Sequence, residues 1–185
     1  MQRTYKTRRA STRQSRGMRT TAETEAAGAE TAGTETAGTE TAEVTGPAPV
    51  RFDTKIAVLL RDDLEPWQRL NVTAFLVSGL GTAVPEVVGE PYEDADGTPY
   101  LPMFRQPVLV FEGSKETLTA AHGRALSRSL PRALFTSDLF ATGNDRDNRA
   151  AVRAVPTDQL DLVGMLVHGP RNAVDKVLKG ARMHP

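Results

Sequence analysis

Four short polar groups have residue types that chemistry can use: Arg61-Asp62-Asp63, Gly113-Ser114, Ser137-Asp138 and His168-Gly169. Each follows an apolar run, namely Ile56–Leu60, Val108–Phe111, Ala133–Thr136 and Leu162–Val167. A carboxylate beside a guanidinium stays ionised, and can take a proton from water or hold a ligand hydroxyl. Ser114, opening a helix, would leave free N–H groups for an anion. His168 stands at a strand terminus, whereas His122 falls mid-helix and His184 near the chain end, both expected at the surface. Trp67 and Asn71 lie one helical turn apart just beyond the first charged turn, and are expected to face it.

These groups meet only if a sheet carries them to one edge, since ligands of α/β sheets gather beyond the carboxyl ends of the strands. That holds for strands running parallel; an antiparallel strand carries its end to the opposite edge. The continuous apolar runs imply strands covered on both faces, and their alternation with helices implies three layers, α/β/α. Lys55 to Thr82 is the organising unit. It holds a buried strand, a charged turn and a helix opened by Pro66, turning almost wholly apolar from Val72 to Leu80 and ending at Gly79 and Gly81. Ser114 caps a second helix to about Leu130. Asn144, with Asp145 and Asp147 in the first turn, starts a third to about Val155, and Gly169-Pro170 opens a last one with Ala173, Val174, Val177 and Leu178 inward. Asp94–Pro99, D-A-D-G-T-P, has part of a calcium-loop pattern but lacks its third carboxylate and closing Glu, so a turn between two short edge strands is expected.

Net charge is formally zero over 185 residues, but it hides three unlike segments. Residues 1–20 hold seven basic residues and no acid, and residues 21–50 hold six glutamates and no base. The remainder, with 16 basic and 17 acidic residues, does not suit a duplex-DNA binder relying on bulk charge. An E-T-A-G-T repeat begins at Glu30, Glu35 and Glu40 and offers no apolar face to bury. Residues 1–52 therefore read as a disordered tail: basic over 1–20, repetitive over 21–45, and a Gly/Pro linker over 46–50. The domain then spans 53–185.

Cysteine is absent, which removes thiol catalysis, thiolate metal sites and disulfides, and fits a reducing compartment. No G-x-S-x-G, H-E-x-x-H or Walker A pattern occurs, and Gly79-Leu80-Gly81 does not follow a strand, so neither a metal nor a cofactor is expected. No run approaches the roughly 18 apolar residues of a membrane span, and no secretory h-region is present. A cytoplasmic protein without membrane contact is expected.

From Arg61 onward the chain resembles the uncharacterised bacterial family catalogued as domain of unknown function two thousand. W-Q-R-L-N-V-T-A-F-L, Trp67 to Leu76, is its most specific mark, supported by F-T-S-D-L-F at Phe135–Phe140. A more distant similarity, over about 130 residues, is to the type-two peptidyl-tRNA hydrolases. Arg61-x-Asp63-Leu64 matches the R-x-D-L closing that family's first strand. Asp138 and Thr142 match the Asp and Thr of its D-A-G-x-T motif, and Val167-His168-Gly169-Pro170 with the following helix matches its end. The resemblance implies a mixed four-stranded sheet between helices, with Asp138 and Thr142 as candidate catalytic residues. The family's basic turn is missing here, its helical Gln and His positions are Leu70, Ala74 and Val77, and Gly143 replaces the Gln after the Thr. Arg69 is the cation that could substitute, although a guanidinium fork does not copy a lysine point charge.

The leading expectation is a domain binding a small or anionic ligand through Arg61, Asp63, Trp67, Arg69, Asn71, Ser114 and His168, with ester hydrolysis lost or altered. The rival is an active hydrolase in which Asp138 activates a water and Thr142 holds it. A third is an interaction module acting through its tail. Expected partners are that ligand, weak tRNA or RNA contact, and a second copy in a homodimer.

Overall fold

The computed structural model describes residues 50–185; the expectations for residues 1–49 of the tail fall outside these residues. Strand β1 (Thr54–Arg61) is central, and Ile56 to Leu60 are at most 1% exposed, so both its faces are covered. It pairs parallel with β4 (Val108–Gly113) on one side and antiparallel with β6 (Leu162–Pro170) on the other. Strand β5 (Arg132–Thr136) pairs antiparallel with β6, and so runs in the direction of β1. The two-residue β7 (Arg182–Met183) pairs antiparallel with β4 at the far edge. The sheet is therefore mixed with order β5-β6-β1-β4-β7, five strands where four are expected. The fifth escapes the sequence pattern because two exposed residues make no apolar run.

Helix α1 (Pro66–Ala83) covers one face of the sheet. Pro66 occupies its first turn, and the Glu65 N–H donates to Gln68 Oε1 at 2.9 Å, half of a capping box. The helix passes through Gly79 and Gly81 and does not end there. Gly81 is a site of close packing, since a Cβ there would stand 3.3 Å from the Phe104 ring, while one on Gly79 would make ordinary contact with Ala133 at 3.6 Å. Nor is α1 buried all round. Val72, Leu76 and Leu80 form the inward stripe, while Leu70 is 74% exposed.

The opposite face is covered by α2 (Lys115–Leu126) and α4 (Arg171–Val177), packed over Ala57, Leu59, Met165 and Val167. Ser114 caps α2 as expected, its Oγ accepting from Thr117 N. The helix stops at Leu126, four residues early, and Ser129 adopts φ 52° in the turn that follows. His122 is buried on this helix, contrary to the surface position expected, and burial followed by the charge of Arg132 lowers its pKa. Helix α3 (Asp145–Arg153) begins at Asn144, whose side chain accepts from Asp147 N at 3.0 Å.

Two short strands, β2 (Tyr92–Glu93) and β3 (Pro99–Tyr100), do flank the D-A-D-G-T-P turn, but they form their own hairpin away from the main sheet. Asp94 accepts from Thr98 N (2.9 Å), Tyr100 Oη (2.8 Å) and Asp96 N (3.0 Å), which depresses its pKa, and Gly97 supplies the positive φ (81°). Its acceptor capacity serves the turn itself.

Candidate functional site

Strand directions decide which candidate residues meet. β1, β4 and β5 end at the same edge, bringing Arg61, Ser114 and Asp138 there. β6 runs the other way and presents its start, so Asp161 joins this edge and His168 goes to the opposite one, paired with Ile56. Two backbone bonds extend the sheet past its formal end: Asp62 N to Gly113 O at 3.0 Å and Ser137 N to Asp161 O at 2.9 Å.

Asp161 is the hub of the charge cluster. Its Oδ1 lies 3.0 Å from Arg61 Nη1 and 2.7 Å from Lys115 Nζ, and Arg61 Nε donates to Asp63 at 2.7 Å. The hydrogen bonds from Lys115 and Ser137, with the Arg61 charge behind them, hold its carboxyl below the ordinary carboxylate range. A second clasp is centred on Glu112. Arg69 Nη1 donates to it at 2.6 Å and Arg182 Nε at 2.8 Å, and these bonds, Arg69 first, lower its pKa. Arg69 also donates to the Leu64 carbonyl (2.9 Å) and the Asp62 carbonyl (2.6 Å). It is a strap joining the start of α1 to β4, not a free cation replacing the missing basic turn. Sequence reading passes over Asp161, Lys115, Glu112 and Arg182. The usable signal was Glu112, since a carboxylate inside a buried strand needs partners.

The Glu112 clasp has a pH consequence. Its folded pKa is depressed below an ordinary 4.5, so its contribution is complete above that value and is lost as pH falls below it towards the folded value. Urea midpoints measured against pH should therefore drop in acid. Glu112→Gln should lower stability at neutral pH and flatten the upper part of that acid limb. An unchanged limb in the variant would remove Glu112 as its source.

Trp67 and Asn71 turn away from the charges. They line a cleft of about 460 Å³ between α1 and the segment running from the 3-10 turn Ser137–Ala141 into α3. Phe75, Phe140 and Thr142 line it too, with Asn144 and Asn148 supplying amides. The rings form a chain: Trp67 meets Phe140 edge-on at 5.7 Å, Phe140 meets Phe135 at 5.1 Å, and Phe135 meets Phe75 at 5.8 Å. Trp67 is 60% exposed, so the outer end of the chain is open to solvent. The Thr142 hydroxyl lies 2.9 Å from the Leu139 carbonyl, with the Asn148 side chain also in hydrogen-bond reach. Asp138 is exposed on the 3-10 turn and outside the cleft lining. The arrangement can hold a flat or apolar group against the rings and orient it through amides.

Among the described residues there is no cluster of three or more His, Asp or Glu side chains fit to hold a metal, and no helix long and apolar enough to cross a membrane. Residues 54–185 match the model of a family described as "Protein of unknown function (DUF2000)". No curated protein matches the chain. Among solved structures, the chain is similar to a protein of unknown function from Agrobacterium tumefaciens strain C58. The two are 45% identical, the match covers 73% of this chain and all of the other, and the TM-score is 0.71.

Proposed function

Because the chain belongs to the DUF2000 family of proteins of unknown function, we propose that its work is the capture of a small ligand in the cleft between α1 and the Ser137–Arg153 segment. One observation carries this reading. The two stretches that carry the family resemblance, Trp67–Leu76 and Phe135–Phe140, both line that cleft and supply Trp67, Asn71, Phe75 and Phe140 to it. A planar or apolar part of the ligand lies on the rings, and Asn71 bonds its polar rim. Arg61, Asp63, Arg69 and Ser114 frame the adjoining strand edge. Every cation of that frame already has a carboxylate within reach, so an anionic group would have to displace one. The fold is of the peptidyl-tRNA hydrolase type, with ester hydrolysis lost or altered. The exposed Asp138 and the internally bonded Thr142 favour binding over hydrolysis.

Native mass spectrometry of full-length protein from its own host tests this. A bound small molecule should appear in the wild type and be lost in Trp67→Ala, and the same spectra read any second copy or RNA. Trp67 is the only tryptophan, so the released molecule should shift its emission when added back, with affinity falling about tenfold, some 1.4 kcal/mol, in Asn71→Leu. Protein that carries nothing would sink the proposal. On peptidyl-tRNA the expected turnover is weak or absent; robust turnover abolished by Asp138→Asn would install hydrolysis in its place.

A further inference from the structure

His168, carried by β6 to the far edge of the sheet, is 6% exposed and its Nε2 is buried without a hydrogen-bond partner. Gln106 is 8% exposed, and its Nε2 is likewise orphaned. The Thr54 hydroxyl donates to Gln106 Oε1 at 2.9 Å, which fixes the amide and makes the free nitrogen a donor. Two unpartnered buried nitrogens at one place are costly in any fold, and such groups ordinarily have a partner. Both residues line a pocket of about 340 Å³ whose rim carries Arg51 and Arg105 with Asp53 and Glu86. None of these four makes an ion pair among the described residues, in contrast to the neutralised charges of the opposite edge. A second cavity shares Arg51 to Thr54 and Gln106 with this one, so open space lies on both flanks of the segment.

We infer that this pocket is a second binding site, separate from the aromatic cleft, for a small zwitterion of the amino-acid class. The carboxylate takes the Gln106 amide and the two guanidiniums. The ammonium takes Asp53 and Glu86, with the His168 imidazole as a neutral acceptor. Burial, which outweighs the opposing pull of Glu86, lowers the pKa of His168 and so favours that neutral ring. Two cations and two anions around two orphaned nitrogens match a molecule carrying one of each charge better than a bare anion.

Isothermal titration of the full-length protein with individual amino acids tests this, with propionate and ethylammonium as the separate halves of a zwitterion. At least one amino acid should bind, and each half should bind about tenfold or more weakly than the whole. Gln106→Leu should cost that amino acid about tenfold in affinity. Arg105→Ala, at an exposed position that does not threaten folding, should weaken it as well. The proposal is overturned if no amino acid binds, if the halves bind as well as the whole, or if Arg105→Ala leaves the affinity untouched.

Discussion

Phe135→Ala is expected to lower the unfolding free energy by about 3–5 kcal/mol, the range for deleting a buried aromatic side chain. Phe135 is 4% exposed on β5 and packs into the core beneath α1. It is also the inner link of the ring chain, contacting both Phe75 and Phe140. Removing it opens a cavity that β5, held at the sheet edge by β6 alone, can close only in part. Urea unfolding followed by Trp67 emission measures the loss, and Phe135→Leu should retain most of the stability by conserving volume. Ligand capture in the cleft should suffer in both variants, because Phe140 loses the ring that positions it. A loss below about 1 kcal/mol for the alanine variant would place Phe135 in a site that collapses freely, and the cleft wall could not then be rigid.

Much of the fold is legible in the sequence because its signals are local. Five apolar residues at Ile56–Leu60, ahead of a charged turn, read as a short strand covered on both faces, and Ser114 and Asn144 cap helices by the same side-chain oxygens that make them poor helix formers inside. What fails is non-local. Gly79 and Gly81 read as a helix end because glycine favours one, yet the helix runs on, and the Phe104 ring needs the space beside Gly81. His122 reads as a surface residue by type, and only the packing of α2 on the sheet buries it. β7 is invisible because its two residues owe their pairing wholly to the edge of β4.

The candidate site divides in the same way. Arg61, Ser114 and Asp138 reach one edge because their strands run parallel, a rule the sequence can apply once directions are known. Direction itself is not written in an apolar run, so the pattern groups His168 with them and passes over Asp161. The roles of Trp67 and Arg69 depend on which side of α1 each occupies. They are two residues apart, about 200° around the helix, so one faces the aromatic cleft and the other straps Glu112.

Gly164→Ala is expected to destabilise by about 1–3 kcal/mol through overpacking, although alanine suits a strand better than glycine does. Gly164 stands in a cross-strand row between Leu60 and Phe135, directly under α1. A Cβ there would meet Leu76 Cδ1 at 3.2 Å and Val72 Cγ1 closer still. Val72 is β-branched and stiff about χ1 on a helix, so it cannot swing aside, and α1 must lift. Trp67 and Asn71 ride on the same helix, hence the variant should also shift the emission of Trp67 and weaken capture in the cleft. Val72→Ala removes the obstructing methyl groups. Alone it leaves a cavity, but combined with Gly164→Ala the two should cost less than their sum, with a coupling of about 0.5–3 kcal/mol. Strict additivity would mean that the α1–β6 contact at this row is not what sets the height of α1, and the cleft would then owe its shape to the Ser137–Arg153 segment alone.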